Sequence, residues 1–101
     1  MDLTSKQRSQ LKKLSQTIDC IVHIGKDGIT ENVVLSANDA LLARELIKCS
    51  VQQNCPLSAK EACTQLCQKT NSAGVSVLGR KFVIYRTSDE LKPEKRIVLE
   101  K

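Results

Sequence analysis

The chain has 101 residues, a formal net charge of +5 and 41% hydrophobic residues, which predicts one folded domain with a single modest core. It contains no run of about 18 apolar residues, so we expect no membrane span and no membrane partner. Its first residues lack the apolar stretch of a secretory signal, so we expect a cytoplasmic protein, and we predict a monomer.

The positive charge is concentrated in the two ends of the chain. Residues 1–30 carry five Lys or Arg against three Asp, and residues 79–101 carry seven against four acids. The middle of the chain, residues 31–78, carries four of each sign. If the fold brings both ends to one face, that face would suit a polyanion.

The first predicted element is a helix over roughly residues 4–16. Thr4 and Gln7 form a capping box at its start, and Leu11 and Leu14 follow at helical spacing. Four cations surround this apolar stripe with no acid among them, whereas a helix face that serves only solubility usually carries both signs. The cations are Lys6, Arg8, Lys12 and Lys13.

A predicted strand at residues 20–24 leads into the loop Gly25-Lys26-Asp27-Gly28, and a helix begins after it at Thr30. Glycine permits positive φ and close approach of another molecule, and a helix N-terminus attracts phosphate. One class of RNA-binding domain clamps the sugar-phosphate backbone with a Gly-x-x-Gly loop, although the same pattern often makes only a tight turn. We predict that this loop binds a phosphate backbone.

The rest of the chain alternates between helix and strand. Apolar periodicity and a capping box that starts at Ser58 predict two more helices, and β-branched runs predict three more strands. The turn Gly79-Arg80-Lys81 joins the last two strands as a hairpin. These elements are helices at about 30–43 and 58–70, and strands at 46–51, 75–78 and 82–86.

The predicted order is α-β-α-β-α-β-β, which indicates an α/β (α+β) layer domain over residues 1–88. A charged C-terminal tail follows at residues 89–101. Within the tail, residues 92–96 are expected to be irregular and residues 97–99 to add a short edge strand.

The five cysteines and the single histidine do not form a recognisable reactive site. An odd cysteine count without a secretory signal argues against a disulfide framework, and the spacing is not that of a zinc site. We predict reduced, mostly buried thiols, no metal and no cofactor. His23 lies in an apolar strand without a nucleophile pattern around it, so we predict that the protein is not an enzyme.

Four segments spread over residues 3–86 match one known domain pattern in order and spacing. They read LTSKQR at 3–8, IGKDGIT at 24–30, ELIK at 45–48 and VLGRKFVIYR at 77–86. The chain thereby resembles the CRM (chloroplast RNA splicing and ribosome maturation) domain family, and most closely its stand-alone bacterial YhbY-type members. The resemblance implies a mixed four-stranded sheet with three helices, similar to the C-terminal domain of a bacterial translation initiation factor.

The resemblance also implies RNA binding and, for the bacterial members, a role in ribosome assembly on the precursor of the large (50S) subunit. The family's glycine loop maps onto Gly25, Lys26, Asp27 and Gly28, and the acid Asp27 departs from the usual pattern. It could cap the second helix or repel phosphate. We predict an RNA-binding set of Gly25, Lys26, Asp27, Gly28, Thr30, Lys6, Arg8, Lys12, Lys13, Arg80, Lys81 and Arg86.

The expected partner is structured RNA, such as ribosomal RNA, bound mainly through its backbone. The only aromatic residues are Phe82 and Tyr85, which disfavours a base-stacking platform. The alternative is a protein-interaction module that uses the same basic face on an acidic protein partner.

Overall fold

The structure, a computed structural model, describes residues 3–88, 91 and 96–99. Within these residues it has three helices and four strands in the predicted α-β-α-β-α-β-β order. None of the described helices combines the length and the apolar character needed to cross a membrane. The elements are α1 (Ser5–Ser15), β1 (Cys20–Ile24), α2 (Glu31–Arg44), β2 (Leu46–Val51), α3 (Ala59–Thr70), β3 (Ala73–Leu78) and β4 (Lys81–Tyr85).

The four strands form one mixed sheet in the order β1-β2-β4-β3. Strands β1 and β2 are parallel, and α2 is the crossover connection that a parallel pair requires. Strand β4 is antiparallel to both of its neighbours, β2 and β3. Consequently β1, β2 and β3 end where β4 begins, and the segments 25–30, 52–54 and 79–80 meet at one side of the sheet, here called the loop edge.

Each helix begins at a side-chain cap that the sequence predicts. The Thr4 hydroxyl accepts from the Gln7 amide at 3.1 Å while the Gln7 side chain accepts from the Thr4 amide at 3.1 Å, which completes a capping box. Ser58 and Glu61 form the same reciprocal pair at the start of α3. Such caps satisfy backbone donors that a helix start otherwise leaves unpaired.

The main core lies between the sheet and the pair α2 and α3. Side chains of β2 alternate between the two faces of the sheet, and Ile47, Cys49 and Val51 are all buried on this face. Leu41 of α2 and Leu66 of α3 are fully buried against them. Two layers of helix and sheet therefore account for most of the buried apolar surface.

Helix α1 packs on the opposite face of the sheet and covers only part of it. Leu11 is buried there against Val83 and Tyr85, whereas Leu14 remains 43% exposed, so the buried stripe of α1 is shorter than its sequence pattern. Phe82 and Tyr85 are each 1% exposed, so neither ring is presented for base stacking.

A buried acid ties the end of the chain to the fold. Glu45, at the C-terminus of α2, is 1% exposed, and its carboxylate accepts from the Ser88 amide and from the Ile97 amide, both at 2.7 Å. The Gln10 side chain donates to the Val98 carbonyl at 2.6 Å. The expected edge strand at 97–99 is therefore wrong, because these backbone groups bond to side chains and the segment packs beside α1. Of the segment expected to be irregular, residues 92–95 lie outside the described residues.

The five cysteines are free thiols, but fewer are buried than predicted: Cys49 and Cys63 are buried in the main core, Cys55 and Cys67 pack against it half-buried, and Cys20 is half-buried. Burial raises the pKa of Cys49 to about 12. Cys63 and Cys67 lie one turn apart on α3 and share a hydrogen bond. This bond raises the pKa of Cys63 and lowers the pKa of Cys67 to about 7. A hydrogen bond with Ser72 also lowers the pKa of Cys67. Among the described residues, no cluster of His, Cys, Asp or Glu is large enough to hold a metal ion.

Candidate nucleic-acid interface

The glycine loop is a tight turn with its tip in solvent. The Gly28 amide donates to the Gly25 carbonyl at 3.0 Å, and the exposed residues Lys26 and Asp27 form the tip. Gly28 has φ +70°, and a Cβ there would lie 3.4 Å from the Leu57 side chain. The second glycine is therefore needed for the backbone conformation, while the tip can meet a ligand.

Thr30 joins the loop to α2 as its N-cap. Its amide donates to the Gly28 carbonyl at 3.1 Å, and its hydroxyl accepts from the Val33 amide at 3.2 Å. Helix geometry leaves the first-turn amides of Glu31 and Asn32 without an intrahelical acceptor. The positive end of the helix dipole thus lies directly behind the loop.

The loop borders an open cavity of about 410 Å³ that also includes two amide side chains, those of Gln52 and Asn54. Both residues follow β2, which ends beside β1 because the two strands are parallel. The Gln52 amide donates to the Ile24 carbonyl at 2.8 Å, and its side-chain oxygen lies 3.1 Å from where a Cβ on Gly25 would be. Sequence reasoning missed this pair, since only the sheet order places it beside the loop.

Acidic groups flank the loop as well. Asp27 is exposed and makes no hydrogen bond or ion pair with the residues that the structure describes, and the cap of α2 is Thr30. Asp27 therefore does not cap the second helix. Glu31 is exposed in the first turn of α2, so Lys26 alone does not make the loop strongly positive. A strongly positive potential at the loop edge therefore requires cations from neighbouring segments.

The hairpin between β3 and β4 brings two cations to the same edge. The Arg80 carbonyl accepts from the Val51 amide at 2.7 Å, and both Arg80 and Lys81 have exposed side chains. Strand β4 is two strands away from β1, which corresponds to about 10 Å across the sheet. Arg80 and Lys81 therefore lie within reach of a ligand that also touches the glycine loop.

The cations of α1 divide into two pairs. Arg8 and Lys12 line an open cavity of about 440 Å³ between α1 and β3. Lys6 and Lys13 are exposed, and helical periodicity turns them about 140–160° away from the buried Leu11. Only Arg8 and Lys12 therefore face the sheet side of the helix.

Arg86 is placed apart from the other predicted site residues. It follows the far end of β4, is only partly exposed, and donates to the Asn38 side chain at 2.8 Å and to the Thr70 carbonyl at 2.6 Å. It thereby links the body of α2 to the C-terminus of α3. The geometry gives Arg86 a structural role and leaves it out of the loop edge.

Fold and site together define a small α/β domain that presents a glycine loop and a cationic hairpin at one edge of a mixed sheet. The family model of the CRS1/YhbY (CRM) domain matches residues 3–86. The chain belongs to this family, as the four sequence segments indicate, and the fold expected from the resemblance is confirmed.

Its relatives include bacterial proteins of similar length. The Bacillus subtilis protein YqeI, named a probable RNA-binding protein, is 36% identical over 89% of this chain and 94% of its own length. A Haemophilus influenzae RNA-binding protein is 32% identical over 89% of this chain and 91% of its own. The solution structure of a hypothetical Staphylococcus aureus protein proposed to bind RNA has 43% identity and a TM-score of 0.80, covering 98% of this chain and 100% of that one.

Proposed function

We propose that this protein binds structured RNA through the glycine loop and the cations of the loop edge. The observation that carries the proposal is the position of the loop: its tip is solvent-exposed, it borders an open cavity, and the hairpin cations lie at the same edge. The names of its relatives, which denote RNA binding, support it. We also propose that the protein is not an enzyme.

In this proposal the Lys26 and Asp27 amides at the loop tip and the first-turn amides of α2 hold phosphate oxygens, and the Lys26 side chain adds a direct charge. Gln52 and Asn54 provide donors and acceptors for a 2′-hydroxyl or a phosphate on the far side of the cavity. Arg80 and Lys81 contact neighbouring phosphates, and Arg8 and Lys12 extend the field along α1. Recognition of this kind reads the shape of the RNA more than its sequence.

We further propose that the protein is a bacterial cytoplasmic monomer, that the bound RNA is ribosomal and that the protein acts in assembly of the large subunit. The family resemblance supports this step. In a cell extract, the protein is expected to co-migrate with large-subunit precursor particles during size-exclusion chromatography. Complete ribonuclease digestion before the column should release it. Co-migration that survives digestion would instead favour an acidic protein partner.

The exposed acid of the loop gives a prediction about charge. Asp27→Asn is expected to raise RNA affinity about fivefold, because it removes a negative charge that lies unpaired beside the phosphate site. Fluorescence anisotropy with a labelled RNA hairpin measures the change. The matched control is Asp39→Asn, an exposed acid about 12 Å along α2 from its first turn and beyond the Debye length. Equal effects of the two substitutions would show that only net charge matters.

A further inference from the structure

A third cavity, of about 230 Å³, lies on the sheet face beside α1. Three lysines from three different elements line it: Lys12 of α1, Lys48 of β2 and Lys81 of β4. We call this cavity the lysine groove. Lys48 and Lys81 share a sheet face because both alternate with residues of the main core.

Lys48 is an unusual residue for its position. It lies on β2, an inner strand, where it pairs with Cys20 on one side and Val83 on the other, and it is partly buried. Among the described residues, no carboxylate forms an ion pair with any of the three lysines, and the groove lining contains no acid. Asp19 lines a neighbouring cavity together with Lys48 but forms no ion pair with it, so the three lysines keep an excess of positive charge and repel one another. A bound anion would remove that repulsion.

The other side chains of the groove suit a nucleotide better than a small inorganic anion. Ser76 and Gln16 add hydrogen-bonding groups to its wall. Leu78, opposite Lys81 in the β3–β4 register, is 80% exposed at its rim and offers an apolar surface to a ribose or a base. A lining that combines three cations with an exposed apolar residue matches a phosphate attached to a sugar.

The groove is continuous with the cavity that Arg8 lines, since Lys12 and Ser76 belong to both. It also reaches towards the loop edge, because Lys81 directly follows the hairpin and pairs with Ser50 near the end of β2. The cationic surface therefore runs from α1 across the sheet towards the glycine loop. One RNA molecule can contact both places.

We propose that the lysine groove is a second RNA-binding site, which holds phosphodiesters through Lys12, Lys48 and Lys81 while the glycine loop holds another part of the same RNA. This inference rests on the proposed function and extends it to a face of the sheet that the sequence did not single out. Lys48 is its distinguishing residue, because it lies outside the glycine loop, the hairpin turn and the basic helix.

The test compares single lysine variants in binding to a fluorescein-labelled RNA hairpin with a 12-base-pair stem, over a range of KCl concentrations. Lys12→Gln, Lys48→Gln and Lys81→Gln are each expected to weaken binding about three- to tenfold near 0.15 M salt. Each should also reduce the slope of log affinity against log salt by about 0.7–0.9, the amount expected for one lost phosphate contact. Lys60→Gln and Lys69→Gln on α3 have the same charge change on exposed residues and are the controls.

Lys48→Arg separates charge from structure, since it keeps the cation and is expected to bind within about twofold of the unchanged protein. If the groove variants bind RNA like the α3 controls while Gly25→Asp weakens binding, the lysine groove is not an RNA-binding site. The proposed function would still stand in that case. Failure of the unchanged protein to bind the hairpin would overturn both. If Lys48→Gln does not fold, Gln16→Glu takes its place, because it adds an acid to the groove lining at an exposed residue other than the three lysines: weakened binding supports the groove and unchanged binding overturns it.

Discussion

Glu45→Ala is expected to lower the free energy of unfolding by about 2–3 kcal/mol and the Tm by roughly 10 °C or more. The carboxylate is buried and accepts hydrogen bonds from two backbone amides, those of Ser88 and Ile97, that are distant in sequence. Removing it leaves both donors without their acceptor, and the loss of a charged acceptor costs more than that of a neutral one. Thermal and urea denaturation followed by circular dichroism measure the effect.

The backbone of Glu45 sharpens this expectation. Its φ of +62° is uncommon for a residue other than glycine, so the conformation is maintained by its surroundings. The side chain also affects Tyr85, whose pKa is raised first by burial and then by the negative charge of Glu45. The positive φ and the two hydrogen bonds of the carboxylate indicate a residue held in place by several contacts.

Two controls separate the amide contacts from a general loss of charge. Glu45→Gln keeps the size and one carbonyl oxygen, so it should lose roughly half as much stability as the alanine variant. Glu31→Gln removes an exposed acid from the same helix and should change stability by no more than about 0.5 kcal/mol. If Glu45→Ala were as stable as Glu31→Gln, the buried carboxylate would not be what ties the end of the chain to the fold.

Local sequence signals predicted the elements well because each one has a local physical cause. The Thr4–Gln7 and Ser58–Glu61 boxes fix where two helices begin, and the alternation in β2 fixes which side chains face the core. The glycines and Thr30 marked the loop, since positive φ at Gly28 and a capping hydroxyl leave a readable pattern.

Residues whose roles depend on sheet order could not be assigned from the sequence. Gln52 and Asn54 border the loop cavity only because β2 lies parallel to β1. The sequence places Lys48 in a predicted strand, but only the packing of α1 against part of the sheet shows that Lys48 lines a cavity. These positions follow from the topology of the sheet, which the local periodicity of the sequence does not reveal.

For Arg86 and the segment 97–99, the local sequence pattern suggested one role, whereas the structure shows hydrogen bonds to residues that are distant in the sequence. Arg86, a cation at the end of a strand, was included in the predicted RNA-binding set, but its guanidinium donates hydrogen bonds to the Asn38 side chain and the Thr70 carbonyl. A short apolar run fits an edge strand, but the amide of Ile97 bonds to Glu45 instead. Neither partner is adjacent in sequence, so neither could be inferred.

Gly25→Asp is expected to weaken RNA binding about 10- to 100-fold. The substitution puts a carboxylate where the proposed phosphate approaches most closely, and juxtaposed like charges cost several kcal/mol. Gly25 does not have a positive φ, and its Cβ would meet only the flexible end of Gln52 at 3.1 Å, so the variant should still fold. Gly28 is less suitable, since its φ of +70° would strain any side chain.

The controls for this variant separate bulk from charge. Gly25→Ala adds the Cβ without the charge and should weaken binding about threefold or less. Gln68→Asp adds the same charge at an exposed position on α3, across the sheet from α1, and should leave binding nearly unchanged. The stability of each variant is compared with that of the unchanged protein by thermal denaturation.

The most direct measurement is the equilibrium affinity of Gly25→Asp, relative to Gly25→Ala, for a labelled fragment of large-subunit ribosomal RNA at 0.15 M salt. A loop that grips phosphate oxygens with its backbone predicts a difference of at least about tenfold between two equally folded variants. Equal affinities would mean that RNA does not approach the main chain at this turn, and would contradict the account.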